Sequence, residues 1–170
     1  MGAAAVMIDE EVWPPELLLV EHSYRARGAW GLPGGSLDSI PGDPTRPGNP
    51  SSRDDVLESA LRREVAEELG IEITSVRLLR VDAIPDVAEE PGPYRLDFFY
   101  RCSPRQGFAM LRDGLASGRL KPQSPEISQM RLVPLPELND YDLYSSGARL
   151  LRKDLPRLEP GLMQLASSKT

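Results

Sequence analysis

Apolar residues recur along the chain in two patterns: short runs bounded by polar or proline residues, and one stripe at helical spacing. The runs at residues 3–8 and 16–21 predict a hairpin of buried strands, joined through the Trp-Pro-Pro turn at 13–15. The stripe predicts a helix within residues 51–73, for which Gly70 supplies the C-terminal stop. Its members lie four positions apart: Leu57, Leu61, Val65 and Leu69.

Further apolar runs complete the set of predicted elements. Strands are predicted at 71–81, 95–101 and 130–134, and helices at 108–117 and 144–155, the last with Leu150, Leu151 and Leu155 facing inward. This order predicts an α/β fold, a mixed β-sheet between helices, with the 51–73 helix on one face and the 144–155 helix on the other. We expect a single domain over residues 1–155 and a loosely held tail over 156–170.

Three connecting segments differ in composition. Residues 30–35, Trp-Gly-Leu-Pro-Gly-Gly, hold adjacent glycines that allow the main chain to approach a ligand closely. Residues 39–53 hold a proline at every third position, which favours a mobile surface loop over the alternative, an extended recognition element. The segment 83–94 is long enough to shape a pocket.

Charge and cysteine content narrow the class of protein. The net charge of −6 argues against a broad basic surface for a nucleic acid duplex, but metal ions could still bridge an acidic site to a nucleotide. Cys102 is the only cysteine, which excludes an intrachain disulfide and favours a cytoplasmic location. No apolar stretch reaches the roughly 20 residues of a membrane helix.

The predicted 51–73 helix carries the candidate chemistry. Glu64, Glu67 and Glu68 lie at i, i+3 and i+4, so three carboxylates share one face and repel one another unless a cation is present. Carboxylate oxygens are the ligands that Mg²⁺ and Mn²⁺ prefer. The alternative is an exposed acidic face without a ligand.

The sequence from Arg63 to Ile71, REVAEELGI, together with Gly35 and Asp55, resembles the signature of the Nudix hydrolases. The run at 30–35 and the segment 125–138 are also typical of that family. Two features depart from it: Asp55 replaces a glutamate, and 19 residues separate Gly35 from Asp55 where the pattern has five. The resemblance implies a Nudix-type α/β/α sandwich and metal-dependent hydrolysis of a pyrophosphate bond, with Mg²⁺ or Mn²⁺ as cofactor.

The expected roles follow from residue types and from this resemblance. The expected metal ligands are Glu64, Glu67, Glu68 and, by resemblance, the Gly35 carbonyl. Arg63 would orient the carboxylates. The general base is either a helix glutamate, Glu64 or Glu67, or Glu126 at the start of the late strand. The candidate substrate contacts are Arg25, Arg27, Trp30 and Tyr94, with Phe99 as a further candidate for stacking on a base.

The substrate is expected to be a small nucleotide. Pro85 lies 14 residues beyond Ile71, a position similar to a proline in ADP-ribose pyrophosphatases of the family, which favours a nucleoside diphosphate linked to a sugar. A nucleoside triphosphate, including an oxidised one, is an alternative. So is a catalytically silent module that binds a nucleotide for regulation. The sequence does not decide between a monomer and a homodimer.

Overall fold

The computed structural model describes residues 2–23, 29–36, 56–84, 95–143, 147 and 150–158. The strands are β1 Gly2–Val6, β2 Ile8–Asp9, β3 Glu16–His22, β4 Ala29–Gly31, β5 Gly34–Ser36, β6 Ile73–Ile84, β7 Arg95–Pro104, β8 Ile127–Pro134 and β9 Asp142–Leu143. The α-helices are α1 Val56–Leu69 and α2 Phe108–Ala116, and a 3₁₀ helix covers Leu135–Asp140. A closing segment is π-helical over Leu150–Asp154 and α-helical over Leu155–Leu158.

The strands form two sheets. The first has the order β5-β1-β7-β6 and is mixed, because β1 and β7 run parallel while the other neighbours are antiparallel. The second has the order β2-β3-β4-β9, and β8 pairs with β3. The predicted α/β class is confirmed, but the single predicted sheet is in fact two.

The predicted hairpin at 3–8 and 16–21 is wrong in one respect. Met7 separates β1 from β2, and only β2 pairs with β3, through Ile8 with Leu17 and Asp9 with Glu16. β1 instead joins β7 and β5 in the first sheet. The run of apolar residues is continuous because both strands are buried, so periodicity alone could not reveal the change of sheet.

Residues 3–8, which cover most of β1 and the start of β2, alternate between two buried clusters. Ala3, Ala5 and Met7 belong to one cluster, which includes Leu61, Val65 and Leu69 of α1. Val6 and Ile8 belong to the other, with Phe99 and the closing-segment residues Leu150, Leu151 and Leu155. Side chains of a strand point alternately to opposite faces. The two predicted helical regions therefore lie on opposite faces of the first sheet, as expected.

The boundaries of α1 follow from its sequence. The predicted stripe is buried except for partly exposed Leu57, and the helix ends at Gly70, whose φ of 67° suits a glycine after a helix. The predicted helix start at 51–55 lies outside the described residues. No helix in the described part of the chain is long and apolar enough to cross a membrane.

Candidate active site

Arg63 links two of the three glutamates, Glu64, Glu67 and Glu68, on the acidic face of α1. Its Nη1 donates a hydrogen bond to Glu67 Oε2 at 2.8 Å, and its Nη2 pairs with Glu64 Oε1. Burial disfavours the guanidinium charge, but the two carboxylates outweigh it and raise the pKa of Arg63 above its usual value. The guanidinium thus offsets part of the repulsion that the glutamates would otherwise impose on the helix.

Glu68 is the most deeply placed of the three glutamates. It is only 6% exposed, and burial together with the charges of Glu64 and Glu126 raises the pKa of its carboxyl to about 7. The Gly34 backbone N–H donates a hydrogen bond to this carboxylate, which favours the charged form. Oε2 is buried and accepts no hydrogen bond among the described residues. An oxygen in that position is costly unless it acquires a ligand.

Two glycines of β5 allow the carboxylates to approach the main chain. Gly34 has a φ of 138°, and a Cβ there would lie 2.2 Å from the Ala3 carbonyl oxygen. A Cβ on Gly35 would lie 2.6 Å from Glu64 Oε2. Pairing of β5 with β1 holds both glycines beneath α1, so the Glu64 side chain occupies space that any other residue at 35 would fill.

Glu126 approaches the same place from the loop before β8. The loop is tied to the end of α1 by the Gln123 N–H, which donates to the Glu68 carbonyl at 2.7 Å. It is tied to the end of β3 by Ser23, whose N–H donates to the Glu126 carbonyl at 2.8 Å and whose hydroxyl donates to the Pro125 carbonyl at 2.5 Å. The Glu126 side chain is exposed, yet its charge contributes to the raised pKa of Glu68.

The residues around Glu68 fit a hard divalent cation. The side chains there are carboxylates, Glu68 Oε2 is buried with no hydrogen-bond donor among the described residues, and the lack of a Cβ on Gly35 leaves room for the Glu64 carboxylate. Glu67 is more remote, because its side chain is 62% exposed and turned onto Arg63. As the side chains stand, the described residues contain no ready-made group of three His, Cys, Asp or Glu ligands.

The predicted substrate contacts are only partly described. Trp30 is 7% exposed, and its ring stacks edge-on against Tyr141 with 5.3 Å between centroids. Phe99 is 1% exposed within the cluster that contains the closing segment. Both have the contacts of core residues, and their roles at a substrate stay predictions. Arg25, Arg27 and Tyr94 lie outside the described residues, as do Asp55, Pro85 and the 39–53 segment.

The NUDIX domain family matches residues 1–154 of the 170-residue chain. The chain belongs to the Nudix family. The carboxylate face of α1, the glycines of β5 and the Glu126 loop therefore lie within a Nudix domain. No curated protein matches the chain in sequence.

Solved Nudix structures share the fold at low sequence identity. The NUDIX domain of Shewanella oneidensis NrtR, solved with ADP ribose, superposes with a TM-score of 0.63 at 19% identity, covering 92% of this chain and 86% of that one. The MutT NUDIX hydrolase of Burkholderia pseudomallei gives 0.59 at 21% identity, covering 90% and 95%. A UDP-X diphosphatase gives 0.54 at 19%, covering 96% and 62%. These neighbours include hydrolases and the NrtR domain.

Two parts of this Nudix site have no signal in the residue pattern. The Gly34 N–H acts through the main chain, so the glycine pair predicts a close approach but not which amide donates. Ser23 lies about a hundred residues from Glu126 and meets it only because β3 pairs with β8. A serine directly after a buried strand is too common to indicate such a contact.

Proposed function

We propose that this Nudix domain hydrolyses the pyrophosphate bond of a nucleoside diphosphate linked to another moiety, of the ADP-ribose or nucleotide-sugar type. One observation carries the proposal: the charges of Glu64 and Glu126 act on the Glu68 carboxyl, which accepts a hydrogen bond from the Gly34 N–H and whose Oε2 is buried with no donor among the described residues. A site whose negative charge is offset only in part by Arg63 is suited to a cation and, through it, to a diphosphate.

The proposed division of roles follows the geometry. Glu64, Glu67, Glu68 and the Gly35 carbonyl would hold Mg²⁺ or Mn²⁺, which when bound supplies positive charge to the diphosphate and acidifies water there. Arg63 orients Glu64 and Glu67 through its two hydrogen bonds. Glu126 is exposed at the rim, on a loop tied to both α1 and β3, where it could accept a proton from water.

Two structural neighbours support the proposed substrate class. The NrtR neighbour was solved with ADP ribose and another neighbour is a UDP-X diphosphatase, so both are associated with nucleoside diphosphate derivatives. Arg25, Arg27, Trp30 and Tyr94 are the proposed contacts to the phosphates and base. The net charge of −6 supports a small nucleotide over a nucleic acid duplex as partner, and the single cysteine supports a cytoplasmic location.

The direct test is turnover of a substrate panel with and without Mg²⁺. ADP-ribose, nucleotide sugars, dinucleotides and nucleoside triphosphates are each incubated with the purified chain, and phosphate-containing products are separated. We expect Mg²⁺-dependent cleavage of the diphosphate derivatives, lost in Glu68→Gln. Glu72→Gln is the matched control, because Glu72 is an exposed acid paired with Arg105 beyond the end of α1. Cleavage of triphosphates alone would support the alternative substrate class.

A second comparison identifies the general base. Glu126→Gln removes a rim carboxylate, whereas Glu67→Gln removes a carboxylate from the α1 face. If Glu126 is the base, Glu126→Gln lowers kcat and leaves the Mg²⁺ affinity unchanged. Glu67→Gln then raises the Mg²⁺ concentration that is needed for activity. If Glu67→Gln loses kcat at saturating Mg²⁺ while Glu126→Gln keeps it, the base is on the helix.

A regulatory nucleotide-binding module is the second candidate function. NrtR favours this candidate, because it was also solved with a 27mer DNA. The match to that NrtR structure covers 62% of the NrtR chain. Absence of turnover for every compound in the panel, together with unchanged ADP-ribose binding in Glu67→Gln, would support this candidate and exclude the hydrolase.

A further inference from the structure

β6 forms the edge of the first sheet and exposes large apolar side chains. Within the described residues it pairs only with β7. Leu78 is 48% exposed and Val81 is 42% exposed, and Leu96 beside them on β7 is 38% exposed. A long edge strand with apolar side chains is a site where another strand can pair.

The exposed apolar side chains share one face because β6 contains a bulge. Leu78 pairs with Tyr100 and Val81 with Phe98, and the register shifts between Leu78 and Arg80. Tyr100 and Phe98 both pack in the cluster under α1. Leu78 and Val81, three positions apart, therefore lie together on the α1 face of the sheet.

The residues at the bulge face the other way. Leu79 packs against the cluster that contains the closing segment. Arg80 binds Asp82 Oδ1 at 2.6 Å through Nε and Asp154 of the closing segment at 2.5 Å through Nη1. The two faces of the edge thus differ: the α1 face exposes apolar side chains, and the closing-segment face combines packed Leu79 with the charged side chains of Arg80 and Asp82.

Residues 76–83 are complementary to themselves when read in the antiparallel direction. With a two-fold axis between positions 79 and 80, Val76 lies opposite Ala83, Arg77 opposite Asp82 and Leu78 opposite Val81. Opposed residues of antiparallel strands share a face and interact directly. Each apolar residue on the α1 face would meet an apolar residue, and each arginine at 77 would meet an aspartate.

We propose that β6 is an interface between two copies of this chain, paired antiparallel about the two-fold axis between residues 79 and 80. A pairing of this kind is isologous, so it covers the edge in both copies and stops at two chains. It places Leu78 of each copy against Val81 of its partner. Exposed Arg77 of each copy lies opposite Asp82 of the other, so opposite charges face each other on both sides of the axis. The interface goes beyond the proposed activity and does not depend on it.

Disulfide cross-linking tests the register directly. In the L78C/V81C double variant, the cysteine at position 78 of one copy lies opposite the cysteine at position 81 of the other. Mild oxidation therefore yields a covalent dimer. The single variants L78C and V81C give none, because two copies of position 78 are offset along the strands by roughly 10 Å. Native Cys102 is 1% exposed and does not interfere. Met110→Cys, at a more exposed apolar position on α2, controls for random collision. Equal cross-linking of the single and double variants would overturn the register.

Sedimentation tests the association itself. The wild-type chain is expected to sediment as a dimer, and Leu78→Lys with Val81→Lys as a monomer, because four lysines would then crowd the axis. Met110→Lys is the control, because Met110 is 55% exposed and lies on α2 rather than β6. This variant is expected to remain a dimer. A wild-type monomer at every concentration, or a dimer that survives both β6 lysines, would overturn the proposal.

Discussion

Glu68 is the site residue whose surroundings perturb its charge most, because its carboxyl is buried beside two other acids. Glu68 is nearly inaccessible to water, and its raised pKa reflects burial first and the charges of Glu64 and Glu126 second. Folding therefore costs free energy whenever this group is ionised and no cation is bound. This cost disappears when the Glu68 carboxyl is protonated or when a bound cation compensates its charge.

This cost predicts a pH-dependent stability in the metal-free protein. The pKa of Glu68 is about 7 in the fold against an ordinary 4.5, so the folded state binds the proton more tightly between these values. The free energy of unfolding should then fall as pH rises from 4.5 to 7, by up to about 3 kcal/mol at ~1.4 kcal/mol per pKa unit. Urea unfolding in the presence of a chelator measures it. Glu68→Gln does not titrate, so a parallel pH profile in that variant would contradict the assignment.

Gly34 supports a second prediction at the same scale. Gly34→Ala forces a Cβ against the Ala3 carbonyl at a φ of 138°, where side chains are strained. We expect it to lower the free energy of unfolding by more than about 3 kcal/mol. Gly107→Ala is the control, because its φ is also positive, at 83°, but a Cβ there has nothing within 4 Å. Urea unfolding that shows equal losses in both variants would mean that φ, not the clash, determines the cost.

For the α1 glutamates, the sequence predicts which side chains share a face, but it does not predict which neighbours each of them contacts. Spacing alone places Glu64, Glu67 and Glu68 on one helix face, and the arginine before them is a natural partner. Spacing could not show that Arg63 takes Glu67 toward solvent while Glu68 turns inward under Gly34. That difference depends on where β5 lies relative to α1, which is a tertiary property.

At the scale of elements, α2 is fixed to the second sheet by ion pairs from partly exposed Arg112 to buried Asp9 and to Glu16. Arg112 binds Asp9 Oδ2 at 2.5 Å and Glu16 Oε2 at 2.9 Å, and the Asp9 side chain is 0% exposed. β2 and β3 bring the two acids together, since Asp9 pairs with Glu16 in the ladder. A single arginine therefore joins one helix to two strands and compensates both acids.

Loss of this arginine should be costly. Arg112→Met leaves Asp9 buried with an unpaired charge, and we expect the free energy of unfolding to fall by roughly 3–5 kcal/mol. Arg105→Met is the matched control, because the Arg105–Glu72 pair is 65% and 69% exposed and should contribute less than about 1 kcal/mol. Denaturant unfolding compares the two. Equal effects would show that Asp9 does not need its partner.

Elements differ in how well the sequence predicts them. α2 has nearly its predicted bounds, and α1 ends directly before its predicted stop at Gly70, while its predicted start lies outside the described residues. The three-residue strands β4 and β5 were not predicted, because three residues cannot establish a period of two. The parallel pairing of β1 with β7 joins residues almost a hundred positions apart, so no local pattern encodes it. The predicted 144–155 helix is described only in part, and its end is π-helical before continuing to Leu158.

For the whole molecule, Cys102 offers a single internal reporter of unfolding. It is 1% exposed, and burial raises the pKa of its thiol to about 12. The native chain should therefore resist Ellman's reagent at pH 8, while denatured chain reacts at once. Leu61→Ala, which empties a fully buried position in the same cluster, should speed labelling by at least about tenfold. Rapid labelling of native wild-type protein would contradict the burial of this thiol.

The short strand β5 also determines how the chain tolerates change. Its pairing with β1 secures Gly34 and Gly35, while the apolar face of α1 secures the glutamates independently of the connection between them. Extending that connection from five to 19 residues raises the free-energy cost of closing the loop by only about 1 kcal/mol. Because these two anchors do not depend on the length of the connection, a peptide tag inserted within residues 39–53 is expected to leave the free energy of unfolding nearly unchanged.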